Sequence, residues 1–355
     1  MMRIGVSGWA GVRTRWTLAV GACVWGLVCA CSVAAQTPED ASSPTLHVYT
    51  NLVQIPTLVL GRDYKPIAPV DERRFFVSLD AGPKLQATHA RLEGDDPISL
   101  TILLDVSQSN PSMSWAAQAV ESLAPVSLHA KDEVSIYVLN CELVHPAVPG
   151  ATDSVSLKQQ VDLVLQRSQS LDETHPKRKC QKPIYLWDAL ISIVQSLSER
   201  SGRRVVLAVT NGVDRGSRNS WNELRDFAQT KSVAIFGLVQ PEDMRANQSE
   251  TPFNQVCQLS GGMLLPTPAK DLGKQLAWAV TLIRGRYIVE FPRPVTTVGG
   301  RHGLGVTISR SQAFIRSSGA EVPTDDPAIL NDPTTIPADL SRTPQLGNRK
   351  VLAPH

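Results

Sequence analysis

The stretch Leu100–Ser109, LTILLDVSQS, constrains this chain more than any other. A run of apolar and β-branched residues ends in Asp105, Ser107 and Ser109 at alternating positions. A strand buried on both faces reads as such an unbroken run, and ligands of open α/β sheets sit beyond the carboxyl ends of the strands. One carboxylate and two hydroxyls are therefore expected together at a sheet edge. Hard oxygen donors of that kind suit Mg²⁺ or Ca²⁺.

At 355 residues and 42% hydrophobic, the chain can build one sizeable core with smaller attachments. A formal net charge of +2 is too near neutral to point to nucleic acid. The densest basic run, Lys177-Arg178-Lys179, lacks the interleaved aromatics that stack bases and reads as a solvated loop.

The first residues read as a targeting segment. Arg3, Arg13 and Arg15 supply positive charge, Trp16 to Ala30 is apolar, and Val33-Ala34-Ala35 has the small residues that precede cleavage. Removal of residues 1–35 would leave an exported chain, secreted or periplasmic. A rival reading makes Cys31 a lipid-bearing terminus, because Val28-Cys29-Ala30-Cys31 loosely resembles a lipobox with Val in place of the favoured Leu. No later segment approaches the ~18 continuous apolar residues of a membrane span. Cleavage after Ala35 leaves Cys141, Cys180 and Cys257, whose spacing matches no zinc pattern. An oxidising compartment permits a bridge from Cys141 to Cys180, and Cys257 in an apolar helical pattern reads as a buried small hydrophobe.

Periodicity divides the remainder. Residues 36–97 hold strand-like runs at Thr45–Leu60, Phe75–Leu79 and Lys84–Leu92, which form an N-terminal β module. Residues 98–285 alternate strands with helices. The strands are Leu100–Leu104, Glu133–Asn140, Arg204–Val209, Ser232–Val239 and Met263–Leu265; Leu143–Val148 can return as a hairpin. The helices are Met113–Leu123, Ser156–Gln166, Tyr185–Leu197, Ser220–Thr230, Phe253–Leu259 and Ala269–Ile283. Such alternation predicts an α/β fold with a doubly wound, mostly parallel sheet. Residues 286–320 return to strand character and, flanking that domain, are expected to join the N-terminal module in a sheet. Residues 321–355 lack aromatics and gather prolines, which predicts a disordered tail.

In this order, LTILLDVSQS, DEVSIYVLN, LWDAL, VVLAVTNGVD and LSGGMLLPTPAKDL resemble the segments of a von Willebrand factor A (VWA) domain. TLHVYTNLVQIPTLVL and RGRYIVEF at the flanks resemble exported A-domain proteins common in Acidobacteria. The resemblance implies a VWA/Rossmann-like fold with flanking β modules and a metal-ion-dependent adhesion site. Its D-x-S-x-S loop maps onto Asp105, Ser107 and Ser109, and its third loop onto Asn211, where the family has Asp. The family's second-loop Thr is Ile184 here, so an oxygen is lost unless Thr174 or a water moves in. Both changes weaken a Mg²⁺ or Ca²⁺ site.

The resemblance therefore implies an exported, non-enzymatic binding or adhesion protein. Its partner would be an extracellular or periplasmic protein, met through an acidic side chain that completes the ion's shell. The expected contact face holds Asp105, Ser107, Ser109, Asn211 and Asp214. Asp214 either replaces the missing charge or shapes a turn; Asp188 either complements the dipole of its helix or stands behind the ion. A structural scaffold with a vestigial, metal-free site is the alternative. A serine hydrolase is a weaker one, since Val106, Gln108 and Asn110 around the two serines do not make the G-x-S-x-G elbow. No glycine-rich phosphate loop and no H-E-x-x-H pair are present.

Overall fold

A computed structural model describes residues 47–49, 52–67, 69–107, 113, 115–140, 142–145, 152–174, 184–242, 251–292, 299–319, 321–322 and 335–337. The expected targeting segment, Ser109, Cys141 and Cys180 lie outside the described residues.

Five strands come first: β1 (His47–Tyr49), β2 (Leu52–Leu60), β3 (Phe75–Leu79), β4 (Leu85–Gln86) and β5 (His89–Leu92). The alternating region opens with β6 (Ile98–Asp105), α1 (Ala116–Glu121), α2 (Ala124–Ser127), β7 (Glu133–Leu139), β8 (Leu143–Val144) and α3 (Ser154–Thr174). It continues through α4 (Leu186–Ser198), β9 (Arg203–Val209), α5 (Trp221–Thr230) and β10 (Ala234–Val239). It closes with α6 (Pro252–Leu259), β11 (Leu264–Pro266) and α7 (Leu272–Arg284). Six strands follow: β12 (Tyr287–Pro292), β13 (Gly300–Arg301), β14 (Leu304–Ile308), β15 (Phe314–Ser317), β16 (Glu321–Val322) and β17 (Thr335–Pro337).

The central sheet has the order β8-β7-β6-β9-β10-β11, parallel throughout except for β8 at one edge. Every residue of β6 is buried. Ile102 and Leu104 face a core completed by α1, α3 and α7, whereas Leu103 faces a second core built with α4, α5 and α6. Helices thus cover both faces, and the fold is doubly wound α/β. From β6 the chain adds β7 and β8 on one side, then crosses back to lay β9 on the other. The carboxyl ends of β6 and β9 flank this reversal, the topological switch point at which such sheets open a crevice.

The flanking strands interleave, as their positions around the α/β region led us to expect. β12 pairs with β2 and β5, β15 with β2, and β14 with β3, all antiparallel. Residues from both ends of the chain share one core, with Val53, Ile55, Phe75, Val77, Tyr287, Val289, Phe291 and Ile308 at its centre. Two expectations are corrected. Lys84–Leu92 is not a single strand: Ala87 N–H bonds to Phe75 O and Thr88 N–H to Glu290 O, so the chain switches sheets there. Two pieces of the tail carry ordered backbone, since β16 pairs with β13 and β17 runs parallel to β1. Composition reports the lack of a long apolar pattern, but a short ladder needs only backbone groups, and in β16 the single Val322 also reaches the β core.

A buried ion pair fastens the β unit beside the last helix. Arg286 bonds Glu93 in bidentate fashion at 2.8 and 2.9 Å, with both side chains at most 2% exposed. Arg284 meanwhile reaches Asp132 and the Gly94 carbonyl.

Candidate functional site: the switch-point edge

Asp105 is the last residue of β6 and is only 5% exposed. Oδ1 accepts hydrogen bonds from the Ser107 hydroxyl at 2.6 Å and from the Ser107 N–H at 3.1 Å. Oδ2 accepts from the Thr210 hydroxyl, also at 2.6 Å. Thr210 follows the last residue of β9, so this bond spans the switch point itself. Its Oγ1 in turn accepts from Gly212 N–H, and Asn211 Oδ1 accepts from Val213 N–H at 3.0 Å. Gly212 has φ +74°, and a Cβ on it would stand 2.8 Å from the Phe253 ring, so the turn requires glycine twice over.

The same loop then reaches the start of α4. Tyr185, the residue before that helix, caps it with no side-chain bond. The helix N–H groups, which need outside acceptors, find them in the loop after β9. Trp187 N–H bonds to Asp214 Oδ1 and Ser217 Oγ, and Asp188 N–H bonds to Ser217 Oγ. Asp214 also holds Gly216 N–H, Ser217 N–H and the Ser217 hydroxyl. Asp188 returns the grip, accepting from Arg218 N–H and from the backbone and side chain of Asn219. Burial pushes the Asp188 carboxyl up, but those three bonds outweigh it and hold the group below its ordinary range.

Asp105, Ser107 and Asn211 therefore meet at one edge, with Asp214 fixed in the adjoining loop; Ser109 lies outside the described residues. Ile184 is half-buried and packs against the core beneath α4. Four residues went unassigned in the sequence. Thr210 had a weak signal as the hydroxyl next to the strand-end Asn-Gly. Ser217 bonds locally to Asp214, but its bonds to the start of α4 span 29 and 30 residues and leave no sequence signal. Trp115 and Val213, 44% and 41% exposed, are large apolar side chains left facing out on the segments that follow β6 and β9.

The donor set can be held against the needs of Mg²⁺ or Ca²⁺, which take about six or more oxygens with carboxylate charge among them. Among the described residues Asp105 is the sole carboxylate at the ends of β6 and β9, and each of its oxygens already accepts a hydroxyl proton. Thr210 and Asn211 already accept backbone N–H groups, Ile184 offers no oxygen, and Asp188 and Asp214 are turned to loop amides. Among the described residues no three His, Cys, Asp or Glu side chains gather as a metal cluster. These residues do not fit a firmly held divalent ion.

No family model matches the sequence, and no curated protein is similar enough to count as a relative. Solved structures with a similar fold include BatB from Bacteroides thetaiotaomicron, at 16% identity and a TM-score of 0.35, covering 52% of this chain and 98% of that one. The manganese-loaded TRAP protein of Plasmodium vivax is 14% identical with a TM-score of 0.32, over 67% and 98% of the two chains. Proximal thread matrix protein 1 of the mussel byssus is 12% identical with a TM-score of 0.38, over 58% and 49%. The scores are low, and the fold rests on the strand order and pairings above. Among the described residues no helix is long and apolar enough to cross a membrane.

Proposed function

We propose that this chain is an exported, non-enzymatic protein-binding module of the VWA type that meets its partner across the switch-point edge. One observation supports the reading: the Asp105–Thr210 bond joins the ends of β6 and β9 at the switch point, the edge at which open α/β sheets bind their ligands. No glycine-rich loop follows β6, so the crevice is not built for a nucleotide. The edge instead offers the exposed Ser107 and the apolar side chains of Trp115 and Val213, with Asn211 in the turn between β9 and Val213. Buried aromatic anchors beside satisfied polar groups are what protein interfaces use. Ser109 is kept as a partner-contact residue on the strength of its motif position, and Asp214 contributes through the loop it fixes. The flanks' likeness to exported Acidobacterial A-domain proteins, and an extracellular or periplasmic partner, are part of the same proposal.

The test is site-specific photo-crosslinking in the source cells. A photoreactive residue at Ser107 or Val213 should give discrete adducts, and one at Glu199, beyond the far end of α4, should give none. Equal labelling at both edges, or none at Ser107 and Val213, overturns the reading. Export is checked by the mature N-terminus: Gln36 is expected, and an unprocessed Met1 would refute it.

A further inference from the structure

We infer that side-chain hydrogen bonds lock the three loops of this edge together in the role a bridging divalent ion would play, so that the face keeps its shape without metal. The inference rests on the edge being the contact surface and specifies how that surface is organised.

A bridging ion holds loops by drawing an oxygen from each of them. Here Asp105, at the end of β6, accepts from Ser107 of the loop that follows it and from Thr210, which opens the loop after β9, both at 2.6 Å. The loop after β9 is tied to the start of α4 by Asp214 and Ser217 on the Trp187 and Asp188 amides. Asp188 closes the circuit on Arg218 and Asn219. All three carboxylates are thus met by N–H and O–H donors, which stabilise a buried negative charge as a cation otherwise would. The substitution is consistent along the sequence. Where a bridged site would need an oxygen, Ile184 packs into the core, and where it would need a third-loop carboxylate, Asn211 closes its own turn. The Asp105 charge is thus already met by two hydroxyls and an amide, which lessens what an incoming ion would gain there.

The experiment uses the full mature chain, labelled with ¹⁵N, and Mn²⁺ as the probe. Expected are unbroadened amide signals at Ser107, Asn211 and Gly212, and the same melting temperature in EDTA as in millimolar MgCl₂ or CaCl₂. Hydrogen exchange in EDTA should already be slow at Gly216–Asn219. Asp214→Ala should speed it there and at Trp187 by about tenfold or more, with no recovery on adding Mg²⁺. Saturable Mn²⁺ broadening that Asp105→Asn abolishes, or exchange in the wild type that slows only with Mg²⁺, overturns the inference. The two proposals fail separately. Adducts at Ser107 that form only with Mg²⁺ would sink the lock and keep the contact surface. An ion-independent lock without adducts would do the reverse.

Discussion

Replacing Arg286 by Met tests the joint between the β unit and the α/β domain. The guanidinium and the Glu93 carboxylate are 2% and 0% exposed, and Glu93 draws its side-chain hydrogen bonds from Arg286 alone among the described residues. Methionine fills most of the space but strips both donors from a carboxylate that water cannot reach. Removing one partner of a buried pair costs about 3–5 kcal/mol, because the remaining charge stays desolvated. For a chain of this length, with about 2.1 cal/mol/K of unfolding entropy per residue, each kcal/mol lowers the melting point by roughly 1.5 °C. Arg286→Met should therefore melt roughly 4–8 °C below wild type in a circular-dichroism scan at pH 7. The double variant Glu93→Leu/Arg286→Met removes the orphaned charge and should recover most of that loss, since apolar replacement of a buried pair is often neutral. A single variant within about 1 kcal/mol of wild type, or a double variant no better than the single, refutes the reasoning.

Three further outcomes follow from other parts of the molecule. Ser220 and Glu223 cap α5 reciprocally, so Ser220→Ala should lower stability by about 1 kcal/mol in urea denaturation. Because its bonds hold the folded Asp188 carboxyl below its unfolded value, its contribution is present above the ordinary range and lost as pH falls through the folded value. Asp188→Asn should accordingly destabilise more at pH 7 than near pH 3, and a carboxyl NMR titration should show a midpoint below that of a free aspartate. The Cys257 thiol is fully buried, and desolvation pushes its ionisation far upward; mass spectrometry should find its peptide unlabelled by iodoacetamide at pH 8 in folded protein and labelled in urea.

The sequence by itself determined the alternating strands and helices of the α/β region, because hydrophobic period is a local property. The unbroken run through Leu100–Leu104 predicts a buried strand, the Tyr185–Leu197 spacing a helix, and Ser220 the start of another helix. It also determined that Asp105 and Ser107 end a strand side by side. Tertiary structure alone decided what those groups touch. Thr210 arrives from 105 residues away because the chain crosses back at the switch point, and Asp214 reaches Trp187 across 27 residues. Neither separation leaves a periodic trace. The break of Lys84–Leu92 between two sheets and the pairing of β17 with β1 were hidden for a related reason: backbone N–H and C=O groups are the same in every residue but proline, and only the assembled fold says which of them meet.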